Sequence, residues 1–300
     1  TGVSAAGLAH LSRLANTAPD AVVRYVWGGD LKGNVWRFDL DTGTAMKIAT
    51  LTDTAGAEQP ITSPPEVGAV AGSNTKFMVQ VGTGRYLADE DVPGASQNVW
   101  ATQRQSVYGL IDDTTIVIAA DALLSNARGT NGTSCPTGGG NGSLVCQTLT
   151  HVSASNTYSA TAHPVDPATR RGWYIDLPLD TNLTNGRVVS KPSLTTGGTL
   201  TLTVNIPTNV QCDPGGSSWF LALNGATGGA VPRNVGGNTY FDSVGFFLGY
   251  ALASRPVIVT TADGKKALIR MSDKTVKAPP VPEAASTSAQ WRRIYWRQVN

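Results

Sequence analysis

The chain is 300 residues long, 41% hydrophobic and only 15% charged, with 33 glycines and 17 prolines. That balance suits short strands joined by tight turns and excludes a protein built of long helices. No apolar run reaches about eighteen residues, which excludes a helical membrane span. The formal charge of +2 conceals an asymmetry. Residues 255–300 hold nine Lys/Arg against Asp263, Asp273 and Glu283, a net +6, which leaves −4 for the rest. These charges are interleaved with strand-like residues, so the basic end reads as a solvated sheet face rather than a nucleic-acid or membrane site. Only WRRIYWR (291–297) sets aromatics among cations, and its period-2 alternation reads as a closing strand.

Thr1 opens no signal peptide, and the start reads like a fragment or a processed chain. Residues 5–16 are the one stretch with helical character. Residues 25–40, YVWGGDLKGNVWRFDL, place two runs of β-branched and aromatic residues around a Gly/Asp/Lys/Gly/Asn cluster, which predicts a hairpin. In its second strand Val35, Arg37 and Asp39 alternate with Trp36, Phe38 and Leu40, so one face is apolar and the other polar. Asp30, Gly33 and Asn34 fall in the turn, where the two side chains are expected to bond backbone amides and hold it rather than serve as ligands. Residues 41–51 continue a meander.

Pro60, Pro64 and Pro65 confine the next stretch to an edge or loop, after which 76–81 and 105–111 read as buried strands. Asp89, Glu90 and Asp91 lie between them and read as an exposed acidic loop in preference to a calcium site. From 112 to 167 the chain is rich in Gly, Ser, Thr and Asn and reads as an insertion, with short strands near 115–119 and 147–152. Cys135 and Cys146 bracket its glycine-rich CPTGGGNGSLVC loop. A disulfide between them restrains that excursion and implies an oxidising compartment. Cys212 is left as a buried thiol or one paired outside this chain. Paired Cys-x-x-Cys spacing is absent, and His10, His151 and His163 are far apart, so metal chemistry by these residues is not expected.

After residue 167, strand-like runs of about five residues recur with a turn signal every 8–12 residues. The fold predicted is all-β: a modified β-propeller of four-stranded antiparallel blades, three to five of them at ~40–50 residues each, with a β-sandwich as the alternative. Trp36, Trp173 and Trp219 are expected to fill space between blades.

Six blocks in order resemble the C-terminal domain of PilY/PilC-type proteins, adhesins at the tips of bacterial type IV pili. They are WGGDLKGNVWRFDL (27–40), QPITSPPEV (59–67), VQVGTGRYL (79–87) with QSVYGLID (105–112), RGWYIDLP (171–178), QCDPGGSSWFLALN (211–224) and the closing RRIYWRQVN (292–300). The resemblance implies a secreted propeller at the pilus tip or cell surface, exported through the periplasm. It implies roles in pilus extension, retraction, twitching and attachment, with minor pilins and a host or abiotic receptor as partners. Family members carry a calcium loop just before this hairpin. Aligned on Gly29-Asp30-Leu31, that loop falls on Asn16, Ala18, Asp20 and Arg24. Ala18 offers no ligand and Arg24 puts a cation where a bidentate acid belongs, so the loop is expected not to bind calcium, with Arg24 pairing with Asp20 instead. The family's occasional Arg-Gly-Asp is absent. No cofactor is expected here; calcium is left to other parts of a longer protein.

Enzyme signatures are wanting: neither a Gly-x-Ser-x-Gly elbow nor a phosphate loop occurs. A quinoprotein dehydrogenase, with Trp36, Trp173 or Trp219 stacked on a quinone, is the enzyme alternative. A carbohydrate-binding module using Trp100 and Tyr108 is the third.

Overall fold

The computed structural model describes residues 6–14, 22–94, 98–116, 127–129, 135–210, 215–235 and 237–283. The first four strands, β1 (Leu8–Arg13), β2 (Tyr25–Asp30), β3 (Asn34–Asp39) and β4 (Thr44–Thr50), form an antiparallel meander in chain order. Gly33 turns the β2–β3 connection with φ +74, where a side chain is disfavoured. Within 5–16, the one stretch read with helical character, Leu8–Arg13 is strand β1. Its pairing from Leu8↔Asp30 to Arg13↔Val26 satisfies its backbone and overrides a weak helical propensity.

The second sheet begins with β5 (Glu66–Ala69), β6 (Lys76–Gly82) and β7 (Ser106–Asp113). β8 (Val145–Gln147) lies at its far edge. β9 (Leu149–Val152) and β10 (Thr157–Ala160) then cross into the third sheet, and β11 (Gly172–Asp176) returns between β7 and β8. Residues 145–160, read as part of an insertion, thus contribute strands to two sheets. The β8–β11 pair is parallel, a departure from the expected antiparallel blades.

The third sheet takes β12 (Ser193–Leu194), β13 (Thr199–Pro207) and β14 (Gly216–Asn224). A separate ribbon of β15 (Pro232–Val235) and β16 (Asn238–Phe241) precedes its last strand, β17 (Gly245–Gly249). The order is β12-β13-β14-β17-β10-β9. β18 (Val257–Thr261), β19 (Gly264–Arg270) and β20 (Val276–Lys277) form the fourth sheet.

The core explains the stacking. Trp27, Val35 and Ile48 of the first sheet pack with Val79, Val81, Tyr108 and Tyr174 of the second. The opposite face of the second sheet, through Met78, Val107, Trp173 and Ile175, packs with Tyr158, Leu202, Trp219 and Leu221 of the third. The third sheet's other face, Phe220, Ala222 and Leu248, meets Ala267 and Ile269 of the fourth. Successive residues of β11 and β14 therefore enter different cores, and the middle sheets are buried on both sides. Four sheets stacked face to face in this way are propeller-like, and the two-sheet sandwich is set aside. Among the described residues, the first sheet has the four strands expected of a blade, the second five and the third six.

Trp173 fills its interface as expected. Its ring lies between Gly109 and Gly228, neither of which has room for a Cβ, and its indole N–H donates to Gly225 O at 3.2 Å.

Candidate functional site

Asp30 is 3% exposed at the end of β2. Its Oδ1 accepts from the amides of Lys32 and Asn34, both at 2.9 Å, and its Oδ2 from Asn34 Nδ2 at 2.9 Å and Trp36 Nε1 at 3.0 Å. Asn34 Oδ1 in turn accepts from Thr50 Oγ1 at 2.8 Å, joining the hairpin to β4. With both carboxylate oxygens engaged, Asp30 holds a turn. Asp39 at the end of β3 accepts from the amides of Asp41 and Thr42. Partial desolvation opposes ionisation there, yet these amides and Arg24 bring its carboxyl below the usual range. The Arg24 guanidinium sits 3.1 Å from Asp41 and 3.4 Å from Asp39, over the Tyr25 ring. Asn16, Ala18 and Asp20 lie outside the described residues. Arg24 is thus paired with the two acids that follow the hairpin.

The faces of β3 are the reverse of those expected. Val35 and Arg37 point into the core, Trp36 and Phe38 are half-buried, and Leu40 is exposed. Arg37 is tolerated inside because Asp112 of β7 meets it at 2.7 Å while Trp27 Nε1 donates to the same carboxylate at 2.8 Å. A paired, hydrogen-bonded guanidinium with an apolar stem can occupy a core that an unpaired one cannot. Trp36 accordingly braces Asp30 and does not pack between blades.

Residues 85–101 carry the second unexpected arrangement. Asp89 and Glu90 are exposed, but Asp91 is buried. Burial opposes its ionisation, and donation from Asn98, the Leu87 amide and Arg85 outweighs that, holding the Asp91 carboxyl below the usual range. Behind it stands Arg187, 1% exposed, whose guanidinium donates to the carbonyls of Arg85, Asp91, Ala101 and Asn185. Burial lowers its pKa to about 10. A buried cation thus gathers the carbonyls of this loop.

Tyr108, expected as an exposed sugar platform, is 1% exposed. Its hydroxyl accepts from Arg128 Nη2 at 2.7 Å and donates to Gln59 Oε1 at 2.6 Å, and burial pushes its pKa upward. Arg128 also pairs with Asp176 at 2.9 Å and stacks 4.4 Å over Tyr174. Trp100 is half-buried beneath the Arg85 guanidinium. Cys135 and Cys146 are disulfide-bonded, with Cα atoms 5.6 Å apart. Cys212 lies outside the described residues.

Two clefts remain. One, of about 460 Å³, lies beside the disulfide and is lined by Arg104, Tyr174, Asp176 and Asp180. Its acids are committed: Asp176 to Arg128 and Ser106, Asp180 to the Tyr158 hydroxyl and the amides of Asn182 and Leu183. The other, of about 450 Å³, runs between β12 and β18 and is lined by Leu194, Arg255, Val257, Ile258 and Lys265. Among the described residues no group of three His, Cys, Asp or Glu is placed to hold a metal ion. Trp36, Trp173 and Trp219 lie on three different sheets. No helix among the described residues is long and apolar enough to cross a membrane. Arg37, Arg128 and Arg187 were missed as organisers, and the only signal for them is a lone cation near apolar or β-branched residues.

No family model matches the chain. A type IV pilus biogenesis factor PilY1 homolog of Xylella fastidiosa is 28% identical over 244 residues, 76% of this chain and 15% of its own length. A second homolog from that organism is 29% identical over 287 residues, 91% of this chain and 21% of its own length. The type IV pilus biogenesis factor PilY1 of Pseudomonas aeruginosa is 27% identical over 263 residues, covering 74% and 21% respectively. The chain thus spans about a fifth or less of the length of these relatives. The crystal structure of the Pseudomonas aeruginosa PilY1 C-terminal domain superposes with a TM-score of 0.61 at 22% identity, covering 94% of this chain and 63% of that one. The chain is thus similar in sequence to PilY1 factors and shares the fold of the PilY1 C-terminal domain.

Proposed function

We propose that the chain serves as the non-enzymatic C-terminal part of a type IV pilus biogenesis factor, exported through the periplasm and displayed at the pilus tip. There it supports extension, retraction, twitching and attachment, with minor pilins and a surface receptor as partners. The observation carrying this reading is similarity to PilY1-named factors over 74–91% of the chain. The Cys135–Cys146 bridge supports an oxidising route. We read the 300 residues as part of one propeller. Removing the coding segment for these residues from the host should abolish surface pili and twitching zones, and restoring it should bring back both. A strain that keeps normal pili and motility without the segment sinks the reading.

We also infer that the loop aligned on residues 16–24 has lost its ion. Support comes from Ala18 and from the Arg24 guanidinium beside Asp39 and Asp41. Calorimetric titration of the chain with calcium should give no heat assignable to this loop. A tight site abolished by Asp20→Ala overturns the inference.

A further inference from the structure

β18 is an end strand. It pairs with β19 in unbroken register from Val257↔Leu268 to Thr261↔Gly264, and among the described residues no strand covers its other edge. β19 sends the Ala267 amide to Pro279 and its Lys265 carbonyl to Val281, both away from β18. It therefore meets β18 through Gly264, Lys266 and Leu268, and the alternation of an antiparallel ladder directs the amides of Ile258 and Thr260 to the open edge. Proteins ordinarily blunt such an edge with charges, proline or a bulge. VIVTT has none of these inside the strand, and Val257 is 51% exposed.

The edge borders the cleft shared with β12, itself the end strand of the six-stranded sheet. Leu194, Val257 and Ile258 supply apolar surface, and Arg255 and Lys265 stand beside them. Lys265 is engaged by Glu283, whereas Arg255 has no carboxylate partner among the described residues. From 255 to 277 six cations face two acids. The edge thus lies in a positive field.

We propose that this edge receives an extended acidic segment of a partner protein, added as a further strand on β18. Main-chain bonds to Ile258 and Thr260 hold it, alternate apolar side chains enter the cleft, and its acids meet Arg255 and Lys266. The site stands on this geometry and goes beyond the pilus reading, which names no surface.

The probe is a short fluorescent peptide alternating valine with aspartate or glutamate, compared by anisotropy with its lysine counterpart. The full chain should bind the acidic peptide saturably, and binding should weaken as salt rises. Thr260→Pro, which removes an outward amide, should weaken it about tenfold or more, and Arg255→Glu several-fold, with unchanged thermal melting. Should Thr260→Pro fail to fold, the acidic peptide N-methylated at alternate residues must lose binding to the native chain. The proposal is overturned if neither peptide binds, if both bind alike, or if the N-methylated peptide binds as well as its parent. It is equally overturned if binding appears only after deletion of residues 284–300, which would make the chain its own occupant. A concentration-dependent dimer abolished by Thr260→Pro, without peptide binding, would assign the edge to a second copy.

Discussion

Asp30 binds two backbone amides, an asparagine and a tryptophan with two oxygens, and buries them in doing so. Alanine there strands several donors, each loss typically worth about 1–3 kcal/mol where the group is buried. Asp30→Ala should therefore lower unfolding free energy by about 2–4 kcal/mol in urea titration, and Asp30→Asn by less, since one oxygen survives. A fully stable Asp30→Ala would show that the turn is held by Gly33 alone. Asp91 adds a pH dependence. Its carboxyl is held below the usual range in the folded chain, so the unfolded chain binds more protons in that window. The stability it contributes is complete above about pH 4 and is lost as pH falls through the depressed value. Hydrogen exchange at residues 87, 88 and 91, measured across that fall, should accelerate in Asp91-containing protein. In Asp91→Asn it should already be fast at neutral pH and change little.

At the scale of elements, the β2–β3 hairpin, β4, β6 and β7 were legible because each is a short β-branched run between turn residues. Their faces were not. Strands of the middle sheets are buried on both sides, so apolar alternation carries no information about direction, and β3 hides an arginine that its sequence presents as polar surface. Residues 5–16 misled for another reason: Ala and Leu favour a helix weakly, and pairing with β2 outweighs them. The disulfide was legible from glycines between two cysteines, whereas the grip of Arg128 on Asp176 and Tyr108 depends on partners distant in sequence. The bridge spans a separation of 11 residues. Closing a loop of that order constrains the unfolded chain by about 2–3 kcal/mol. Mild reduction should lower the melting temperature by several degrees, while Cys146→Ser should leave the protein insensitive to reductant.

Across the whole molecule, the stacking of sheets one to four follows chain order, as expected of successive blades, but the second and third sheets do not keep to themselves. From β8 the chain passes into the third sheet as β9 and β10, returns as β11 and leaves again for β12, three passages between neighbours. Tyr158 of β10 waits for Gly245 of β17 before its ladder closes. During synthesis the middle of the molecule therefore cannot be finished blade by blade as it emerges; its two inner sheets must be completed together, after the first has formed. The same lacing governs behaviour under mechanical load. A chain pulled from its ends in an optical trap should release β1–β4 as a separate, lesser extension and the second and third sheets in one larger rip, since neither can unravel while the other stands. A regular ladder of equal rips would mean that the lacing carries no force.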